Sequence, residues 1–307
     1  MLKIKKILFP TDFSKCAEQA FTHAIHFAKE FNAELHILNV NTFIENNPQY
    51  MSRLSGITDI KTMNEDITNT QINKLVDSAN LENLKIVKIK KHGVSVSPRI
   101  LKYANDNDID IIVMGTHGRR GLGHLFLGSV AEEIVRLSKS PVLTIREEEK
   151  PTLISKIDNI LVPIDFSERS NVSIKYAIEI AKVYNSKLQL LHVLEDTIPA
   201  AYSLSGVMSI YDIDPNIEEK IKNNIEKVFK ETIKTEVEHQ SFVTNGHAVK
   251  EILNFANSNN TDLIVIATHG LTGIEHLMIG SVAEKVSRMA HCPVFITKSF
   301  GKDLLAK

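Results

Sequence analysis

Cysteine, excess charge and long apolar runs are all scarce in this chain, and each shortage removes a class of function. Cys16 and Cys292 are the two cysteines among 307 residues, too few for a disulfide framework and without the paired spacing of a zinc site. A reducing cytosol is therefore the expected compartment. With 36 Lys and Arg against 37 Asp and Glu, the net charge is −1, so no single-sign field is available to capture nucleic acid or an anionic membrane. No apolar run approaches the roughly 18 residues that cross a bilayer. The basic start at Lys3, Lys5 and Lys6 leads only to Ile7-Leu8-Phe9 before Pro10 and Asp12, so neither secretion nor membrane insertion is expected. What remains is an ordinary globular balance of 43% hydrophobic and 24% charged residues, at a length that suits about two domains.

The most informative feature is a duplication. Ile7-Leu8-Phe9-Pro10-Thr11-Asp12-Phe13-Ser14 returns 153 residues later as Ile160-Leu161-Val162-Pro163-Ile164-Asp165-Phe166-Ser167. Thr116-His117-Gly118 and Gly128-Ser129-Val130-Ala131-Glu132 return at an offset of 152 as Thr268-His269-Gly270 and Gly280-Ser281-Val282-Ala283-Glu284. A period this long is a whole domain rather than a solenoid repeat. The expected division is residues 1–148, residues 152–300 and a tail at 301–307, with Glu147 to Pro151 as an exposed linker.

Short β-branched runs alternate with amphipathic stretches in both halves. Strands are expected at Ile4 to Phe9, Glu34 to Val40, Ile86 to Lys90, Ile109 to Met114 and Pro141 to Ile145. In the second half they fall at Lys156 to Val162, Lys187 to Val193, Glu236 to Val243, Leu263 to Ile266 and Pro293 to Thr297. Helices are expected after Ser14, after Ser97-Pro98 and over Asp214 to Lys234. This alternation implies an α/β fold of two tandem doubly wound domains, each a parallel sheet with helices on both faces, and it places any ligand at the carboxyl ends of the strands.

Two features there carry chemistry. Asp12 and Asp165 end the first strand of each half, where a carboxylate can accept from a ribose hydroxyl or base amine; the alternative is that each caps the following turn. The loop from Gly115 to Ser129 combines glycines, hydroxyls at Thr116 and Ser129, and cations at Arg119 and Arg120. It ends at a helix start, a natural phosphate site, unless Ser129 is an ordinary cap. It is no Walker loop, and it lacks the third glycine of a dinucleotide fingerprint. His117, His124, His269 and His276 have no recurring third ligand beside them, so no metal site is expected and no catalytic residue is assigned. Each half also carries an insertion after its second strand, Asn41 to Lys61 and Glu195 to Asp212, that suits a lid or a packing surface.

Gly115-x2-Gly118-x9-Gly128-Ser129, preceded by Pro10-x-Asp12, resembles the nucleotide-binding signature of the universal stress protein family, and the similarity spans both halves. The resemblance implies five-stranded sheets ordered 3-2-1-4-5. It also implies adenine held near Asp12 and Val40, with ribose and phosphates held by Gly115, Gly118, Gly128, Ser129 and Val130. Pro10, Thr11, Thr116, His117 and Arg119 complete the candidate set. In the second half the matching residues are Pro163, Asp165, Val193, Thr268, His269, Gly270, Gly280, Ser281 and Val282. Ala267 stands where the first glycine belongs, and Leu271-Thr272 replace the two arginines, so a weaker site is expected there. The implied function is a cytoplasmic stress-response binding module for ATP or AMP, with Mg2+ as a candidate companion. The alternatives are a weak ATP hydrolase, or a scaffold that takes an apolar ligand and no nucleotide. The family resemblance also implies pairing of the two domains through their fifth strands, a candidate homodimer and an unnamed protein partner; neither nucleic acid nor membrane is expected as a partner.

Overall fold

The computed structural model describes residues 2–42, 58–79, 81, 83–117, 127–149, 156–195, 209–232, 236–268, 280–298 and 300–305, with 58–65 described by backbone alone. Two compact units divide the chain. One is Lys3–Leu153, and the other is Ile154–Lys307 together with Met1–Leu2.

In the first unit β1 (Lys6–Pro10), α1 (Lys15–Glu30), β2 (Glu34–Thr42), α2 (Thr58–Asp77), β3 (Ile86–Gly93), α3 (Val96–Asp106), β4 (Ile111–Gly115), α4 (Ser129–Leu137) and β5 (Val142–Ile145) follow one another. The sheet order is β3-β2-β1-β4-β5, and every pairing is parallel. Ile7 faces Leu35 on one side and Ile111 on the other. Ile7, Leu8, Phe9, Ile37, Ile112 and Val113 are all at 0% exposure. Burial on both faces is why these strands read as unbroken apolar runs instead of alternating ones. Alanines at 17, 20, 24 and 28, all buried, bring α1 close to the sheet, and Phe21 from α1 meets Phe9 with ring centroids 5.2 Å apart.

The second unit repeats the plan with β6 (Asn159–Pro163), α5 (Glu168–Tyr184), β7 (Lys187–Leu194), α6 (Ile210–Ile213), α7 (Ile217–Thr232), β8 (His239–Asn245), α8 (Ala248–Ser258), β9 (Leu263–Ala267), α9 (Ser281–Met289) and β10 (Val294–Thr297). Its order is β8-β7-β6-β9-β10, again parallel throughout. At its end Leu304 is buried, its N–H donates to Tyr176 Oη at 3.2 Å, and Leu305 forms an antiparallel bridge with Leu2.

Three details depart from the sequence expectation for physical reasons. Both first strands start later than the apolar pattern suggests, because an aspartate takes the amides at their starts. Asp110 Oδ2 accepts from Lys5 N and Lys6 N at 2.7 and 2.9 Å, and Asp262 Oδ2 accepts from Asp158 N and Asn159 N, each at 2.9 Å. Helix α3 begins before Ser97-Pro98, at Val96; Pro98 falls in the first turn, where a missing N–H costs nothing. The start of the linker is docked as well. Gln19 Nε2 donates to Glu148 O at 2.7 Å, and Glu148 N donates to Gln19 Oε1 at 2.9 Å.

Candidate functional site

In each unit the first strand lies between the second and the fourth, so the chain leaves β1 and β4 in opposite directions and a crevice opens over their carboxyl ends. The turn out of β1 is built from its own polar side chains. Thr11 N donates to Leu38 O at 2.9 Å, and Thr11 Oγ1 accepts from Phe13 N at 3.0 Å. Asp12 Oδ1 accepts from Ser14 N at 3.1 Å, and Ser14 Oγ caps α1 by accepting from Ala17 N at 3.2 Å. The second unit repeats this with Asp165 Oδ1 accepting from Ser167 N at 3.0 Å and Ser167 Oγ accepting from Ser170 N at 3.1 Å. One oxygen of each aspartate therefore serves the turn. Phe13 and Phe166, next in line, hold φ of 59° and 61°, a left-handed conformation that costs a bulky residue about 1–3 kcal/mol.

The exit from β4 is fixed at both ends of its loop. Thr116, fully buried, donates its N–H to Ile145 O at 2.9 Å, and its carbonyl accepts from Gly128 N at 2.8 Å. Thr116 Oγ1 lies 2.8 Å from His117 Nδ1. Ser129 is not the cap considered from the sequence. Gly128 caps α4 with φ −58° and ψ 139° and offers no side-chain bond, so the cap itself sets no side chain over the first-turn amides at the crevice. Gly280 repeats this geometry at the start of α9, with its N–H donating to Thr268 O at 2.7 Å.

Gly115 is small for a reason other than ligand approach. A Cβ there would lie 2.7 Å from Cys16 Sγ and 3.2 Å from the Cys16 carbonyl carbon and oxygen. Cys16 is itself buried, its thiol donating to Ile145 O at 3.4 Å, and burial pushes its pKa up. In the second unit Arg169 stands at the place of Cys16, and Ala267 occupies the place of Gly115.

These pieces open on a cavity of about 620 Å3. Pro10, Thr11, Asp12, Val40, Gly115, Thr116, His117, Gly128, Ser129 and Val130 all border it, so ten of the residues singled out from the sequence share one space. Gly118 and Arg119 lie outside the described residues, as do His269 and Gly270 of the second unit. Pro163, Asp165, Val193, Ala267, Thr268, Ser281 and Val282 are described and hold the corresponding places in the second unit. Sequence reasoning passed over Phe13, Asn39, Gln71, Ile100 and Met114, which also border the first cavity. The signal for Asn39 was a lone amide inside the otherwise apolar Ile37-Leu38-Asn39-Val40. Its Nδ2 donates to Thr11 O at 2.8 Å. His192 does the same work in the second unit, with Nδ1 2.8 Å from Ile164 O and its ring centroid 4.8 Å from that of Phe166.

Among the described residues no group of three or more His, Cys, Asp or Glu could hold a metal ion, and no helix is long and apolar enough to cross a membrane.

The profile of the universal stress protein family matches residues 3–146 and 156–298, one match in each unit. Universal stress protein YxiE of Bacillus subtilis is 31% identical over 147 residues, which is 46% of this chain and 99% of the relative. Universal stress protein MJ0577 of Methanocaldococcus jannaschii is 35% identical over 158 residues, 47% of this chain and 96% of the relative. The crystal structure of a universal stress protein from Archaeoglobus fulgidus covers 95% of this chain and 98% of its own, with a TM-score of 0.66 at 22% identity, a likeness of fold. Two matches of one family profile, on two units of one topology, make this chain a tandem two-domain member of the universal stress protein family.

Proposed function

We propose that the first unit binds an adenine nucleotide, ATP or AMP, and that the chain acts as a stress-response binding module whose contacts with other proteins follow occupancy. The observation that carries this reading is the cavity of about 620 Å3, within the range of small-molecule sites, onto which the Asp12 turn, buried Thr116 and the uncapped start of α4 all open. The first-turn amides of α4 and the Ser129 hydroxyl suit phosphate oxygens. Asp12 suits the ribose hydroxyls, which donate to a carboxylate. Val40, Ile100 and Met114 supply apolar walls for a flat base. A magnesium ion would arrive with the phosphates, held by their oxygens and by water, as this cation commonly is. The second unit is the weaker site, because the His192 ring, packed on Phe166, stands where the first unit has the smaller Asn39 amide.

The test is to denature the purified chain, identify any nucleotide released, and titrate the stripped protein with ATP beside Asp12→Ala. Saturable binding weakened about tenfold or more by the substitution supports the reading, since hydrogen bonds to a charged group are worth about 1.5–3 kcal/mol. No released nucleotide and no saturable heat would remove it.

A further inference from the structure

Each unit fastens the chain that leaves its fifth strand onto its first helix, and the two fastenings differ. In the first unit Gln19 of α1 takes both backbone groups of Glu148. In the second, Tyr176 Oη on α5 accepts from Leu304 N at 3.2 Å, and Leu305 bridges Leu2 in antiparallel fashion. That bridge joins residues 303 positions apart, and Leu2 belongs to the second unit although β1 of the first starts only four residues after it. Tyr176 is 2% exposed and lies against Phe295 of β10, with ring centroids 5.7 Å apart. Leu2 and Leu304 are covered as well, at 5% and 3%. Among residues 300–305 Leu304 is the one buried side chain. A segment held at so few buried points opens at a lower free energy than the sheet beside it.

We propose that Leu2 and Leu304–Leu305 form a strap across the Tyr176 face of α5, a conformational device that opens before the sheet of the second unit and whose closing completes that unit. Release of Leu2 breaks the bridge and returns two leucine side chains to water. Tyr176 then loses its hydrogen bond to Leu304, and α5 loses its cover at that turn. The fastening at Gln19 uses other residues, so the strap serves the second unit and leaves the sheet of the first unaffected.

Hydrogen exchange in the full chain tests this. In the parent the Leu304 amide is expected to exchange about tenfold or more faster than the amides of β9. Leu2→Asp sets a charge in the strap, and protection at Leu304 is expected to fall a further tenfold, roughly, as the burial of a leucine is lost. Protection in β6 and β9 falls as well, while β1 and β4 of the first unit change by less than about threefold. Leu2→Cys combined with Leu305→Cys places two thiols on directly bridged residues, close enough for a disulfide, and the native thiols of Cys16 and Cys292 are buried. Mild oxidation is expected to close the new bond and to raise Leu304 protection about tenfold or more over the same chain reduced. A Leu304 amide that exchanges with β9, or that is indifferent to Leu2→Asp, overturns the proposal. So does an equal loss in the strands of both units, or a new thiol pair that stays reduced under oxidant.

Discussion

Gly115 and Cys16 form a pair in which each sets the other's size. Adding one methyl at Gly115 drives a Cβ to 2.7 Å from Cys16 Sγ, and overpacking of this kind costs about 1–3 kcal/mol. Gly115→Ala alone is therefore expected to lower stability by that amount in urea unfolding, and Cys16→Ala in the same chain to recover most of the loss. A coupling of about 1 kcal/mol or more in the double-mutant cycle is the expected result, and additive effects would show that the two residues do not share the space. The position of Gly115 was legible in the sequence, since the glycine spacing marked it. Its cause was not, because the partner lies 99 positions away in α1 and the same glycine would have served an approaching phosphate equally well. Asp12 was legible to the same half-extent. The bond from Ser14 N to Oδ1 is what any Asp-x-Ser turn would make, so the cap and the ligand contact are compatible roles for one carboxylate.

At the level of elements, the strands were readable because both faces are buried and the pattern does not alternate. Their first residues were misjudged because a side chain replaces the ladder there. Asp110 is 6% exposed and takes two backbone amides at the start of β1. Asp110→Ala would strand both donors and is expected to destabilise the first unit by about 2–4 kcal/mol, with Asp262→Ala costing the second unit about 1–2 kcal/mol, since the Asp158 amide is exposed and water can serve it. A loss below about 0.5 kcal/mol in either would mean that water serves those amides as well. Charge placement between the second and third strands also differs between the units. Glu34 pairs with Lys85 at 2.8 Å in the first, and Lys187 pairs with Glu238 at 3.4 Å in the second, the same bridge with its signs exchanged. No composition count reveals such an exchange, because it leaves the totals untouched. The helix start at Gly128 was placed correctly to within a residue, yet Ser129 proved to be the first helical residue rather than the cap, a distinction that only φ and ψ decide.

Across the whole molecule, acid is expected to act on the first unit through buried histidines. Burial, with help from nearby His26, pushes the pKa of His23 down to about 4. Burial also lowers His26, against the pull of Glu30, and it lowers His36, against the pull of Glu34. An unfolded chain takes up these protons near the ordinary value of 6.5, while the folded unit resists until lower pH, so the unfolded state binds more protons in between. Stability is therefore full above about pH 7 and is lost as the pH falls through the window from 6.5 towards 4. His23 alone accounts for about 2 kcal/mol between pH 7.5 and pH 5. Hydrogen exchange of the β1, β2 and β4 amides at those two pH values measures it, with His23→Leu flattening the response; equal protection at both would refute the assignment. Duplication made the two-unit plan readable in the sequence itself. What stayed hidden was what the divergence beneath it touches, in Asn39 against His192 and Cys16 against Arg169, because residues that meet across a fold are scattered along its sequence.

The central claim is that the crevice of the first unit takes an adenine nucleotide at the start of α4. Calorimetric titration of the full chain with ATP, beside Gly128→Val, tests this most directly. The backbone at Gly128, with φ −58° and ψ 139°, is one that valine adopts without strain, so the substitution adds bulk at the phosphate seat without forcing the main chain. Saturable binding by the parent chain, weakened about tenfold or more in Gly128→Val with the fold intact, is the predicted result. No saturable heat in the parent chain, or equal affinity in the two proteins, would contradict it.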